Sequence, residues 1–136
     1  MISWNQILIN VSKVSATIDI ISVDKSMIGE TPRLVLRPRT IARIFRRNIT
    51  KWNDESIQRD NPNLAHLLPS VNIKIVVRKD SSGTTSIFTE ALSLFDTDFH
   101  TTIGFGKQVN WNAGGKKEMD KNDIYVANFN QGVIDF

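Results

Sequence analysis

No cysteine occurs among the 136 residues, which excludes disulfides, thiol nucleophiles and cysteine-ligated metal. The compartment stays open, because secreted proteins can also lack cysteine. Histidine is scarce too: His66 and His100 alone do not make a zinc site, and both are expected at the surface. No apolar run approaches the roughly 18 residues that cross a bilayer, and no basic segment followed by a long apolar stretch opens the chain. Neither a membrane span nor an intact signal peptide is expected. Internal repeats, low-complexity tracts and Gly/Ser/Pro-rich linkers are also missing, so one domain over residues 1–136 is expected.

What is present is ordinary globular composition, 40% hydrophobic and 23% charged, with a formal charge of +3. The distribution of that charge is more informative than its total. Arg33, Arg37, Arg39, Arg43, Arg46 and Arg47 fall within fifteen residues that contain no acid. Such asymmetry favours an anionic partner. A charge run on one helical face is usually a solvated face, however, and Trp4, Trp52 and Trp111 do not alternate with the basic residues as base-stacking platforms would. Nucleic acid is therefore not the expected partner, and the tryptophans are expected in or beside the core.

Hydrophobic periodicity predicts an alternation of strands and helices. Ala16–Val23 (ATIDIISV) reads as a buried strand, with Ile7–Val14 a weaker candidate before it and a brief strand at Leu34–Leu36. Pro38 suits the first turn of a helix to Arg47, with Arg39, Arg43, Arg46 and Arg47 on a solvated face and Ile41, Ile44 and Phe45 on a buried one. Ile49 and Trp52 are expected as anchors, and Asn53 or Asp54 as the cap of a short helix that ends near Asn61 and Pro62. Val71–Val77 (VNIKIVV) is predicted as a strong strand, and Thr84–Phe95 as a helix burying Ile87, Phe88, Ala91, Leu92 and Phe95. Further on, the pattern predicts a short helix over Asp96–Thr102 broken by Gly104 and Gly106. A short strand at Val109–Trp111, a helical turn after Ile124 and a strand at Gly132–Phe136 complete it. Alternating elements imply an α/β layered domain with a largely parallel sheet.

Chemistry concentrates in one place. Between the Val71–Val77 strand and the next helix lies Arg78-Lys79-Asp80-Ser81-Ser82-Gly83-Thr84-Thr85. In open α/β sheets the carboxyl end of a strand faces the free N–H groups and positive dipole of the following helix, a ready anion site. Gly83 allows close backbone approach, and Ser81, Ser82, Thr84 and Thr85 bring hydroxyl donors. Arg78 adds a planar fork that matches a tetrahedral oxyanion, while Asp80 either holds that fork or accepts a proton from the ligand. A Ser/Thr cluster before a helix is also a common plain N-cap. No G-x-x-x-x-G-K-[ST] motif is present, and no histidine base or paired carboxylate accompanies the turn, so neither a nucleotide loop nor catalysis is expected.

These motifs, taken together, resemble those of the phosphate-binding proteins that serve bacterial ABC-type phosphate importers, members of the type II periplasmic binding protein fold. The resemblance is carried by Leu34–Asp54 (LVLRPRTIARIFRRNITKWND), Asn61-Pro62, Ile75–Thr85 (IVVRKDSSGTT) with Phe88-Thr89, Val109-Asn110-Trp111 and, more faintly, Gly132–Phe136. It implies a single lobe with a central, mostly parallel sheet flanked by helices, binding inorganic phosphate or a similar oxyanion outside the cytoplasm, in the periplasm, at the cell surface or as a secreted protein. It implies no cofactor. By position, Arg78 becomes the charged ligand, Ser82, Gly83 and Thr84 the hydroxyl or backbone donors, and Asp80 the residue that orients Arg78. Family members close two lobes on the anion, and this chain corresponds to the second lobe alone, so another lobe, chain or domain is expected to complete the cleft. Asn112–Asp123 is also richer in lysine and poorer in glycine than the family's stretch. The competing expectation is a receptor or interaction ectodomain of this fold that no longer binds phosphate.

Overall fold

The computed structural model describes residues 17–19, 33–114 and 124–127. Strand β1 (Thr17–Asp19) pairs antiparallel with β2 (Arg33–Val35), Ile18 opposite Leu34. Helix α1 (Pro38–Phe45) and the short α2 (Glu55–Asp60) follow, then β3 (Ile75–Arg78), α3 (Gly83–Phe95), α4 (Thr97–Thr102) and β4 (Ile124–Ala127). β3 and β4 run parallel with Arg78 opposite Ala127. A parallel pair requires a crossover, and α3 and α4 lie within it. The α/β class is thus as predicted.

Local chemistry accounts for the helix limits. Pro38 occupies the first turn of α1, whose N-cap residue Arg37 offers no side-chain cap. Asp60, at the end of α2, takes that role from a distance: its carboxylate accepts from the Arg37 amide at 3.0 Å and the Thr40 hydroxyl at 2.6 Å. Asp54 caps α2 by accepting from Ser56 N at 2.8 Å, and Asp96 caps α4 by accepting from Asp98 N at 3.0 Å.

Asn61 joins two layers. Its amide oxygen accepts from Val35 N at 2.7 Å, and its amide nitrogen donates to Val35 O at 2.7 Å and Ile57 O at 2.8 Å. The buried side chain thus continues the edge of β2 as a neighbouring strand would. Asn61→Ala leaves those backbone groups without their partner and should lower stability by about 2 kcal/mol, read as a lower urea midpoint. A change below a few tenths contradicts this role.

The core runs from β2, α2 and β3 to α1, α3, α4 and Trp111, with an aromatic group among the last four. Phe45 is fully buried, with Phe88 edge-on at 5.0 Å and Trp111 at 5.8 Å, and Phe99 meets Trp111 at 6.5 Å. Ile49 and Trp52 are buried as predicted, and His66 and His100 are exposed.

Several expectations need correction. The strand predicted over Val71–Val77 is a ladder only from Ile75, because residues 71–73 turn to a different neighbour: Trp52 N donates to Val71 O at 3.0 Å and Ile73 N to Thr50 O at 2.7 Å. Trp111–Gly114 forms a 3-10 turn where a strand was expected at Val109–Trp111; Asn110 starts it by accepting from Asn112 N through its side chain at 3.1 Å and from Ala113 N through its carbonyl at 3.1 Å. The stretch from Ile124 opens with a strand, Ile124–Ala127, laddered on β3, and the helical turn expected before Gly132 lies outside the described residues. On α3 the buried stripe is Thr85, Phe88, Thr89 and Leu92, while Ile87 and Phe95 are exposed. Threonine can occupy that stripe because its hydroxyl bonds back to the helix, as Thr89 Oγ1 does to Thr85 O at 2.7 Å.

The arginines also depart from a uniformly solvated face. Arg39 is exposed, but the Arg46 side chain is only 16% exposed and ion-pairs with Asp98 at 3.2 Å and Asp96 at 3.5 Å. Arg43 binds Asn48 Oδ1 and Ser56 Oγ. Arg47 sits just past the helix at φ 59° and donates to Asn112 O at 3.3 Å; burial pushes its guanidinium below its ordinary value. The helix ends at Phe45, so the last two arginines are turned into contacts a longer helix would not make. The strands predicted at Ile7–Val14 and Gly132–Phe136, and Trp4, lie outside the described residues.

Candidate anion-binding site

β3 delivers Arg78 to the sheet's carboxyl end, and five residues later the chain enters α3. Ser82 is the N-cap, with extended backbone (φ −142°, ψ 130°) and Oγ accepting from Thr85 N at 3.3 Å. Arg78 and Asp80 form a two-pronged pair: Nε donates to Oδ1 at 3.1 Å and Nη2 to Oδ2. Their side chains are 14% and 19% exposed, so the guanidinium plane is held in a largely enclosed setting. The hydrogen bond to Asp80 raises the Arg78 pKa, against the opposing effect of burial and with the help of the carboxylate's charge. Arg78 keeps its charge at any pH the fold meets.

The helix-start amides divide into used and available donors. Ser82 N donates to Lys107 O at 2.8 Å, and Thr85 N is taken by Ser82 Oγ. The amides of Gly83 and Thr84 have no acceptor among the described residues, as expected for the first N–H groups of a helix. A Cβ built on Gly83 meets nothing within 4 Å, so there is open space beside this residue of the helix start. The arrangement can receive a small anion through two main-chain N–H groups, the Ser82 hydroxyl and a fixed guanidinium.

Sequence reasoning places all seven candidates on this one corner, and the structure separates them. Ser81 and Gly83 are exposed, Thr84 is half-buried, Ser82 is buried as the cap, and Thr85 packs beneath, its carbonyl accepting from Thr89. Missing from the sequence reading was the loop over Gly104–Gln108, which touches the corner through Lys107 O and through Gln108 Nε2, a donor to Lys79 O at 2.9 Å. The two glycines there were legible only as helix breakers. Among the described residues no cluster of histidine and acidic side chains could hold a metal ion, and no helix is long and apolar enough to cross a membrane.

The model of the PBP superfamily domain matches residues 20–134. The chain belongs to the PBP superfamily. The phosphate-binding protein PstS of Methanocaldococcus jannaschii is 46% identical over 71 residues, which cover 52% of this PBP superfamily chain and 18% of that protein. PstS of Pasteurella multocida is 31% identical over 134 residues, covering 98% of this chain and 38% of that one. An Acanthamoeba polyphaga mimivirus protein named as a serine/threonine-protein kinase/receptor is 40% identical over 78 residues, 57% of this chain and 5% of its own length. The matched part of this PBP superfamily chain thus spans well under half of each of these relatives.

Proposed function

We propose that this domain binds inorganic phosphate or a similar tetrahedral oxyanion at the Arg78–Thr85 corner. The observation that carries the reading is the guanidinium of Arg78, held by Asp80 five residues before a helix start whose Gly83 and Thr84 amides have no acceptor among the described residues. Ser82 adds its hydroxyl, Ser81 lies at the exposed rim, and Thr85 supports the turn from below. The similarity to proteins named phosphate-binding supports the ligand class.

In this reading the chain is one lobe, the second, of a solute-binding cleft, with a mostly parallel sheet flanked by helices and a single domain over its length. It works outside the cytoplasm, in uptake or sensing, and carries out no catalysis. Another lobe, chain or domain supplies the facing half of the site, and the bound oxyanion gains its remaining hydrogen bonds there.

Thermal unfolding with phosphate, sulfate and chloride tests the proposal. Ligand at about 100 times its Kd stabilises by about 2.7 kcal/mol, which for a domain of this size raises Tm by about 8 °C. Phosphate should give such a shift, and chloride at equal ionic strength should give none. The similarity to the mimivirus kinase/receptor protein favours a second reading, an interaction ectodomain that does not bind phosphate. A Tm unmoved by up to tens of millimolar phosphate selects that reading over the first.

A further inference from the structure

We infer that the segment Gly104–Gln108 is a strap that sets the geometry of the anion corner, with Thr89 and Gln108 as its positioning residues. The inference rests on the reading of that corner as an oxyanion site. The strap meets the corner at three successive heights. Gln108 Nε2 donates to Lys79 O at 2.9 Å, just past the end of β3. Lys107 O accepts from Ser82 N at 2.8 Å, at the helix cap. Gly106 N donates to Thr89 Oγ1 at 3.2 Å, two turns into α3.

Thr89 is fully buried, and its hydroxyl has a single proton to give. The 2.7 Å contact to Thr85 O takes it, in preference to Ser86 O at 3.3 Å and Gly106 O at 3.5 Å. The oxygen then remains an acceptor, and Gly106 N fills that role. Gly104 at φ 71° and Gly106 at φ 158° let the backbone double back to reach it, conformations that side chains rarely adopt. Because Lys107 O engages the Ser82 amide, the strap decides which donors a ligand finds: the Ser82 amide is withdrawn, and those of Gly83 and Thr84 stay open. It also fixes the turn from both ends, through Lys79 O on one side and Ser82 N on the other, so the amides are aimed before any anion arrives.

The test uses Thr89→Val, Thr89→Ser and Gln108→Leu in the full chain, with three readouts: amide exchange at Ser82, phosphate Kd by calorimetry, and Tm without ligand. Loss of one strap bond should speed Ser82 exchange and weaken phosphate binding by about fivefold in the valine and leucine variants, and Thr89→Ser should restore both. A merely structural role would lower Tm and leave Kd as in the wild type, and that result overturns the strap, as does Ser82 exchange unchanged in both variants. If the wild type itself takes up no phosphate, the oxyanion reading has failed, an outcome distinct from wild-type binding that the variants share.

Discussion

Arg78→Ala abolishes the thermal shift produced by phosphate and weakens binding by about 100-fold or more, because the oxyanion loses a planar, permanently charged partner that Asp80 holds in a fixed orientation. Arg78→Lys keeps the charge but not the fork, cannot engage Asp80 at both oxygens, and should fall between wild type and alanine. Calorimetry with phosphate across the three proteins checks the order. Equal affinity in wild type and Arg78→Ala removes Arg78 from the site and leaves the helix-start amides as its only basis.

Phe45→Ala should destabilise the fold by about 3–5 kcal/mol, a large share of the 5–15 kcal/mol typical of a whole domain. Phe45 is fully buried at the end of α1 and touches aromatic rings from two other parts of the chain, Phe88 on α3 and Trp111 in the turn before Gly114. Truncation leaves a cavity that no single neighbour can fill, and Gly114 already packs so tightly against Arg46 and Ile103 that this turn has little freedom to follow inward. Urea unfolding monitored by tryptophan fluorescence measures the loss. Phe45→Leu, which retains most of the volume, should cost less than half as much, and a Phe45→Ala value below about 1 kcal/mol would place the ring outside the cooperative core.

Helix placement was readable from sequence wherever the signals were local. Pro38 at the head of α1, Asp54 before α2, Ser82 before α3 and Asp96 before α4 all stand at helix starts in the structure, because a cap acts within three residues of itself. The turn from Arg78 to Thr85 was legible for the same reason: its strand, its cap and its Arg–Asp pair are all neighbours in the chain. Strand limits were not. Residues 71–73 have the composition of β3 but pair with residues 50–52, and a β-branched run does not say which partner it will meet. Periodicity also missed the rotation of α3, since it scores threonine as polar, whereas Thr85 and Thr89 are buried and the Thr89 hydroxyl bonds inside the helix and to Gly106.

By itself the sequence determined the α/β class, the helix starts and the residue types gathered at the Arg78–Thr85 turn, all consequences of interactions that span a few residues. Only the tertiary structure decided which of those residues present donors and which are already engaged. Lys107 O claims the Ser82 amide from 25 residues away, Asp60 caps a helix that begins 22 residues before it, and Arg46 leaves the solvated stripe to meet Asp96 and Asp98. Each of these is a contact between distant segments, and hydrogen-bond capacity is finite, so what a site can offer depends on what the rest of the fold has already taken.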